Sequence, residues 1–279
     1  FAKIKIDNNL IKNNKNNKKY DNEKILINIK KNKGFYIKKN FKKIRDRFKY
    51  KDYSNLVFLV GFPRSGTTLL DTILRSHSKI NVLEEEPYLL NLRHSFFKSK
   101  NNILESLLEI TQGEKDEIRK NYLKEIKYKK NNGVYVDKLP LSIIEIGFIK
   151  IIFPESKIIL SLRHPCDVVI SCFFTSFKIN DAMYNFLDFE KTINFYNNVF
   201  DLFFSYEKEL NLNYHIIKYE NLIYDFKNQV TDLLKYLDLK YEKKLETFYK
   251  TAKNRESIST PSYSQVINPL YNSSIGRWK

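Results

Sequence analysis

Gly61-Phe62-Pro63-Arg64-Ser65-Gly66-Thr67-Thr68 is the stretch whose residue types and spacing most plainly imply chemistry. A glycine-rich turn between a strand and a helix directs backbone N–H groups at a phosphate, and the helix start adds partial positive charge. The spacing is that of a P-loop, Gly-x4-Gly-Lys-Ser/Thr, but Thr67 stands where the Lys belongs. That Lys reaches the β- and γ-phosphates of a nucleoside triphosphate. Its absence argues against an ATPase or GTPase, and Arg64 inside the loop supplies a cation instead. The expectation is an anion site; the bland alternative is an ordinary βα turn with a glycine cap.

Other candidates lie at predicted strand ends. Arg163 closes an apolar run, the position where open α/β sheets bind ligands. A guanidinium grips phosphate in a bidentate way, although Asp167 offers a plain salt bridge. Glu84-Glu85-Glu86 follows another strand end, where a carboxylate can take the proton of an attacking hydroxyl. A solvated acidic turn is the alternative. Lys138 follows Val134–Val136 in Asp137-Lys138-Leu139-Pro140. Near the C-terminus, Thr260–Tyr271 and Gly276-Arg277-Trp278 hold two of the seven prolines and the only Trp. His77, His94, His164 and His215 are scattered without metal-ligand spacing. Neither a Gly-x-Ser-x-Gly elbow nor a Gly-x-Gly-x-x-Gly fingerprint occurs.

Pro63-Arg64-Ser65-Gly66-Thr67-Thr68 resembles the 5′-phosphosulfate loop of sulfotransferases that use 3′-phosphoadenosine 5′-phosphosulfate (PAPS). The branch it is most similar to includes tyrosylprotein sulfotransferases and bacterial sulfotransferases carrying tetratricopeptide repeats. The resemblance runs in blocks from about Leu56 to the end, with 87–130 contributing little. It implies a sulfuryl transfer to an acceptor hydroxyl without a metal. It assigns cofactor binding to Arg64, Ser65, Gly66, Thr67 and Thr68, and the 3′-phosphate to Arg163 and Ser171, eight residues apart. The family's base aligns best on Glu85, with Glu84 and Glu86 one residue away. Lys138 matches a Lys that stabilises charge on the transferring group and leaving phosphate. Ser262 matches a catalytic Ser, Gln265 to Tyr271 the adenosine-side segment, Tyr219 a nucleotide-contacting Tyr and Arg277 a phosphate ligand. Members acting on tyrosyl proteins carry another Arg four residues after the Ser; here that residue is Thr175.

The elements that must position these groups are legible. Leu56–Val60 and Lys157–Leu162 read as buried parallel strands, with Ile80–Leu83, Val134–Val136 and Tyr214–Lys218 as further strands. Helices are expected over Leu69–Arg75, 87–130, Ile143–Ile152, Asp167–Phe177 with Asp167 as cap, Phe186–Leu210 and Tyr219–Leu239. Strands alternating with helices predict an α/β, three-layer P-loop-like fold with a central parallel sheet flanked by helices. Residues 54–279 would form the sulfotransferase domain. Residues 1–53, rich in Lys and Asn, read as a solvated basic helical leader, the remnant of an upstream helical-repeat module.

Composition narrows the rest. The chain has 279 residues, 49 basic against 32 acidic, and a net charge of +17. With 42% hydrophobic residues it is no disordered chain, and with two cysteines no disulfide scaffold. Cys166 and Cys172 fall on different faces of one helix, so free thiols and a cytoplasmic location are expected. No apolar run is long enough to span a membrane. The chain starts at Phe1, so no leader peptide can be read from it. The charge raises a nucleic-acid-binding module as a rival function, and the Gly-x4-Gly spacing a P-loop kinase. The charge is spread through the leader and helix surfaces, so the expected partner is a hydroxyl-bearing acceptor and not nucleic acid. An acidic peptide or polysaccharide is the class such charge would steer inward.

Overall fold

A computed structural model of the chain describes residues 2–13, 19–47, 53–83, 85–98, 102–129, 132–253 and 266–279. Five strands, β1 (Leu56–Gly61), β2 (Ile80–Val82), β3 (Val134–Lys138), β4 (Lys157–Leu162) and β5 (Tyr214–Lys218), form one sheet in the order β2-β3-β1-β4-β5. Every neighbouring pair is parallel. The helices are α1 (Ala2–Asn13), α2 (Asn22–Phe35), α3 (Lys38–Arg45), α4 (Thr67–Arg75), α5 (Tyr88–Phe96), α6 (Ile103–Glu109), α7 (Gln112–Glu125), α8 (Ile146–Ile152), α9 (Pro165–Phe174), α10 (Phe189–Leu210), α11 (Tyr219–Tyr224), α12 (Phe226–Tyr236) and α13 (Phe248–Lys253).

β1 is central and apolar on both faces, which makes the three layers. Leu56, Phe58 and Val60 point into one core with residues of α2, α3, α7, α8 and α10. Val57 and Leu59, one pleat out of phase, point into the other with α4, α11 and α12. The connection leaving β1 runs toward β2, beyond β3, and the connection leaving β4 runs the opposite way to β5. The carboxyl ends of β1 and β4 therefore flank the switch point where such sheets hold ligands.

Several expected elements differ in detail. Ile143–Ile152 splits into a 3-10 stretch over Pro140–Glu145 and α8. α10 begins only at Phe189, after a 3-10 turn at Met183–Leu187. Asp167 does not cap α9: Pro165 takes the first turn, where a missing N–H costs nothing. Asp167 lies inside that turn, with its carboxylate accepting from Gly276 N at 2.8 Å. The leader is not solvated throughout. Leu26, Ile29, Tyr36, Phe41 and Ile44 join the β1 core, and the Tyr36 ring lies against Gly147, where any Cβ would clash. Among the described residues, Lys24, Lys30, Lys31, Lys33, Lys42 and Lys43 are exposed.

Candidate active site

The loop after β1 is built by backbone demands. Gly66 caps α4 at φ +99°, and a Cβ there would meet the Tyr219 ring at 2.8 Å, so both conformation and space exclude a side chain. Gly61 has no room either: a Cβ would lie 2.6 Å from Ser161 O. Arg64 holds φ +69°, uncommon for a residue with a side chain. Beneath the loop, Ser161 Oγ donates to Ser65 O at 3.0 Å and Cys172 Sγ to Pro63 O at 3.3 Å. Ser65 is itself buried, and its Oγ has no hydrogen-bond partner among the described residues. The first N–H groups of α4 open toward the loop's concave side, as at any helix start.

Two arginines converge here from the ends of β1 and β4. Arg64 Nε donates to Ser171 Oγ at 3.0 Å. Arg163 donates to Arg64 O at 3.2 Å and to Ser274 O, faces Asp167 at 3.9 Å, and lies over the Tyr219 ring at 5.0 Å. Burial lowers the Arg64 pKa; Cys172 opposes that, while Arg163 pushes the same way. A desolvated cation beside another cation is a place for an anion. The Tyr219 hydroxyl is pushed up by burial and eased back by Arg163.

These groups line an open cleft. Its polar lining includes Arg64, Thr67, Thr68, Arg163, Tyr219 and Asn268. Its apolar wall includes Leu69, Ile223, Phe248, Val266 and Leu270. Sequence reasoning missed Ile223 and Phe248. Ile223 had a signal, standing four residues after Tyr219 on the same helical face; Phe248 reaches the cleft from a distant helix and had none.

Glu85 and Lys138 form a second cluster outside the lining of the cleft, tied to it by α4. Lys138 ends β3, is 2% exposed, and donates to Glu85 Oε2 at 3.0 Å. Lys138 Nζ also stands 3.6 Å from Asp71 Oδ2. Asp71 is one turn beyond Thr67 on α4 and pairs through its other oxygen with Arg75. Asp71 escaped the sequence reading, because a single acid in an amphipathic helix carries no signal of its own. Glu86 is exposed. Glu84, Ser262 and Gln265 lie outside the described residues.

Arg277 is not among the residues lining the cleft and is exposed, with Nε donating to Ser273 O at 2.8 Å, but its charge acts on both Arg64 and Tyr219. Its neighbours form a strap. Gly276 N reaches Asp167, Ser274 O takes Arg163, and Trp278 stacks on His164 at 4.9 Å, nearly parallel. Trp278 is therefore no core residue, being 41% exposed. Thr175 turns its hydroxyl to Ser171 O at 2.6 Å, so this position offers no cation. Cys166 and Cys172 are both free.

The model of the family described as "Sulfotransferase family" matches residues 56–243. An uncharacterized protein of Aquifex aeolicus (strain VF5) is 26% identical over 232 residues, covering 80% of this chain and 30% of its own length. Protein-tyrosine sulfotransferase A of Caenorhabditis elegans is 24% identical over 252 residues, covering 82% of this chain and 62% of its own length. The chain thus spans under two thirds of the length of both relatives. Among solved structures, the sulfotransferase domain of the Synechococcus PCC 7002 olefin synthase superposes with a TM-score of 0.56 at 18% identity, covering 83% of this chain and 90% of that one. The two share the three-layer parallel fold.

Proposed function

The chain belongs to the sulfotransferase family, and from that premise we propose that it transfers a sulfuryl group from PAPS to an acceptor hydroxyl. One observation carries the reading. Arg64 and Arg163 meet beside the glycine loop at the switch point, in a cleft lined by both polar and apolar residues. The fit to a nucleotide bearing phosphates is physical. Arg163 Nε is buried without a hydrogen-bond partner among the described residues, and a Cβ on Gly66 would run into the Tyr219 ring that lines the cleft. In the proposed site Arg64, Ser65, Gly66, Thr67 and Thr68 hold the phosphosulfate end. Arg163 and Ser171 take the 3′-phosphate, and Tyr219 with the apolar wall packs the base. Ser262, Gln265 and Arg277 belong to the same proposal through the family resemblance.

PAPS supplies the sulfuryl group, passed in line to the acceptor oxygen as the bisphosphate leaves. Glu85 removes the acceptor's proton. Lys138, Arg64 and the N–H groups at the start of α4 stabilise the charge that develops on the transferring and leaving oxygens. Such fixed dipoles and cations act most strongly when aimed at the transition state. No residue in this scheme needs a metal.

The acceptor side is open to a tyrosyl peptide, a saccharide or a small alcohol. The match to a protein-tyrosine sulfotransferase supports the first, and the +17 charge supports an acidic one. The domain would begin near residue 54, in keeping with a family match from residue 56. Free thiols support a reducing, cytoplasmic setting; among the described residues no helix is long and apolar enough to cross a membrane.

Calorimetry with adenosine 3′,5′-bisphosphate tests the site. Arg64→Ala and Arg163→Ala should each weaken binding about tenfold or more, the worth of a charged hydrogen bond. ATP with Mg²⁺ should not compete. Unchanged affinity in both variants, or displacement by ATP with Mg²⁺, would overturn the assignment.

A further inference from the structure

We propose that Asp71 is a positioning residue for the proposed acid–base pair, holding Lys138 charged and in place while Glu85 changes protonation; the inference rests on the function proposed above. The residues form a connected run of two acids and two bases, Arg75–Asp71–Lys138–Glu85. Asp71 pairs with Arg75 through one oxygen and stands 3.6 Å from Lys138 Nζ through the other. Lys138 in turn meets Glu85 at 3.0 Å. Asp71 and Lys138 are each 2% exposed, whereas Glu85 is partly open to solvent.

A buried ammonium needs a compensating charge. Glu85 cannot supply it throughout a reaction in which it is the base. Once Glu85 accepts the acceptor's proton it is neutral, and Lys138 would be stranded at the moment its charge is wanted. Asp71 sits on a different element, away from the transferred proton, and is paired on its other side with Arg75. It therefore holds the ammonium through the step.

The same carboxylate fixes the base by a second route. Arg75, oriented by Asp71, donates from Nη2 to Leu83 O at 3.0 Å, two residues before Glu85. Leu83 N is bonded to Val136 O at 2.9 Å. The segment carrying Glu85 is thus pinned to both α4 and β3. Asp71 also lies one turn from Thr67 and Thr68 in the cleft wall, so α4 carries the loop and the support for the acid–base pair on one rigid body.

A double-mutant cycle reads this directly. Turnover with sulfur-labelled PAPS and bisphosphate affinity are measured for wild type, Asp71→Asn, Lys138→Ala and the pair, and acetylation of Lys138 by acetic anhydride, read by mass spectrometry, for wild type and Asp71→Asn. Asp71→Asn should lower kcat by up to about 100-fold, as small misplacements of catalytic groups do, with bisphosphate affinity within about twofold. Its effect should shrink on the Lys138→Ala background, leaving only the part that acts through Arg75 and Leu83. Lys138 should acetylate faster in Asp71→Asn, and Asp71→Glu should retain more turnover than Asp71→Asn. An undiminished loss on the Lys138→Ala background, or wild-type kcat with wild-type acetylation, overturns the proposal. Absence of turnover in wild type with every acceptor refutes the proposed function instead, and the acetylation rates then still decide the Asp71–Lys138 link. If Asp71→Asn fails to fold, Asp71→Glu carries the same readouts, because it moves the carboxylate without removing its charge.

Discussion

Gly66 and Arg64 show how individual residues build the proposed anion site, since both adopt positive φ within three positions. Gly66→Ala should cost about 1–2 kcal/mol from backbone conformation alone, with further loss from the clash against Tyr219. Thermal unfolding and bisphosphate affinity should both fall. Asp137, beside Lys138, gives a pH signature. Burial pushes its carboxyl up to about 6, against a hydrogen bond from the Tyr122 hydroxyl at 2.6 Å that pulls it down. The folded chain then holds the Asp137 proton more tightly than the unfolded chain does. Its contribution is most favourable below about pH 4, and stability is lost as pH rises from about 4 to about 6, by roughly 3 kcal/mol. Asp137→Asn should flatten that slope, as urea unfolding across the range would record. At this scale the sequence was most readable where backbone chemistry is specific: Gly61, Arg64 and Gly66 announce a tight anion loop. Asp71 and Phe248 could not be found, because their roles depend on partners far away in the chain.

Among the elements, α4 and α9 position most of the candidate site. α4 begins in the loop, lines the cleft with its first turn and reaches Lys138 with its second. α9 starts at the end of β4 and presents Asp167 to the C-terminal strap and Ser171 to Arg64. Asp167→Ala should free the strap. Hydrogen exchange at 274–278 should quicken, and bisphosphate affinity should fall because Arg163 loses a carboxylate that orients it. Unaltered exchange would detach the strap from α9. All five strands were foreseeable from short, mostly apolar runs closed by Gly or a charged residue. Helix ends were less so. A Pro at the first helical position hid the true start of α9 behind Asp167, and the apolar run before Pro154 did not distinguish a 3-10 turn from α8.

For the whole molecule, the basic leader carries lysines outside and part of the core inside. Ile44 is fully buried against the same cluster as β1, so Ile44→Ala should cost about 2–4 kcal/mol and lower the melting temperature of the entire chain. A change confined to the leader would instead support an independent module. This packing was hidden because the leader's sparse apolar residues sit among Lys and Asn, where no pattern says what they face. The net charge of +17, first suggestive of nucleic acid, is better matched to a nucleotide-sized anion held by Arg64 and Arg163 and to steering of an acidic acceptor. The central claim is sulfuryl transfer, and the most direct measurement is incubation with sulfur-labelled PAPS and peptide, saccharide and small-alcohol acceptors, read by mass spectrometry. The account predicts a sulfated product with at least one class, stoichiometric release of adenosine 3′,5′-bisphosphate, and loss of both in Arg64→Ala and Glu85→Ala. Full activity in those variants, or no transfer to any class, would contradict it.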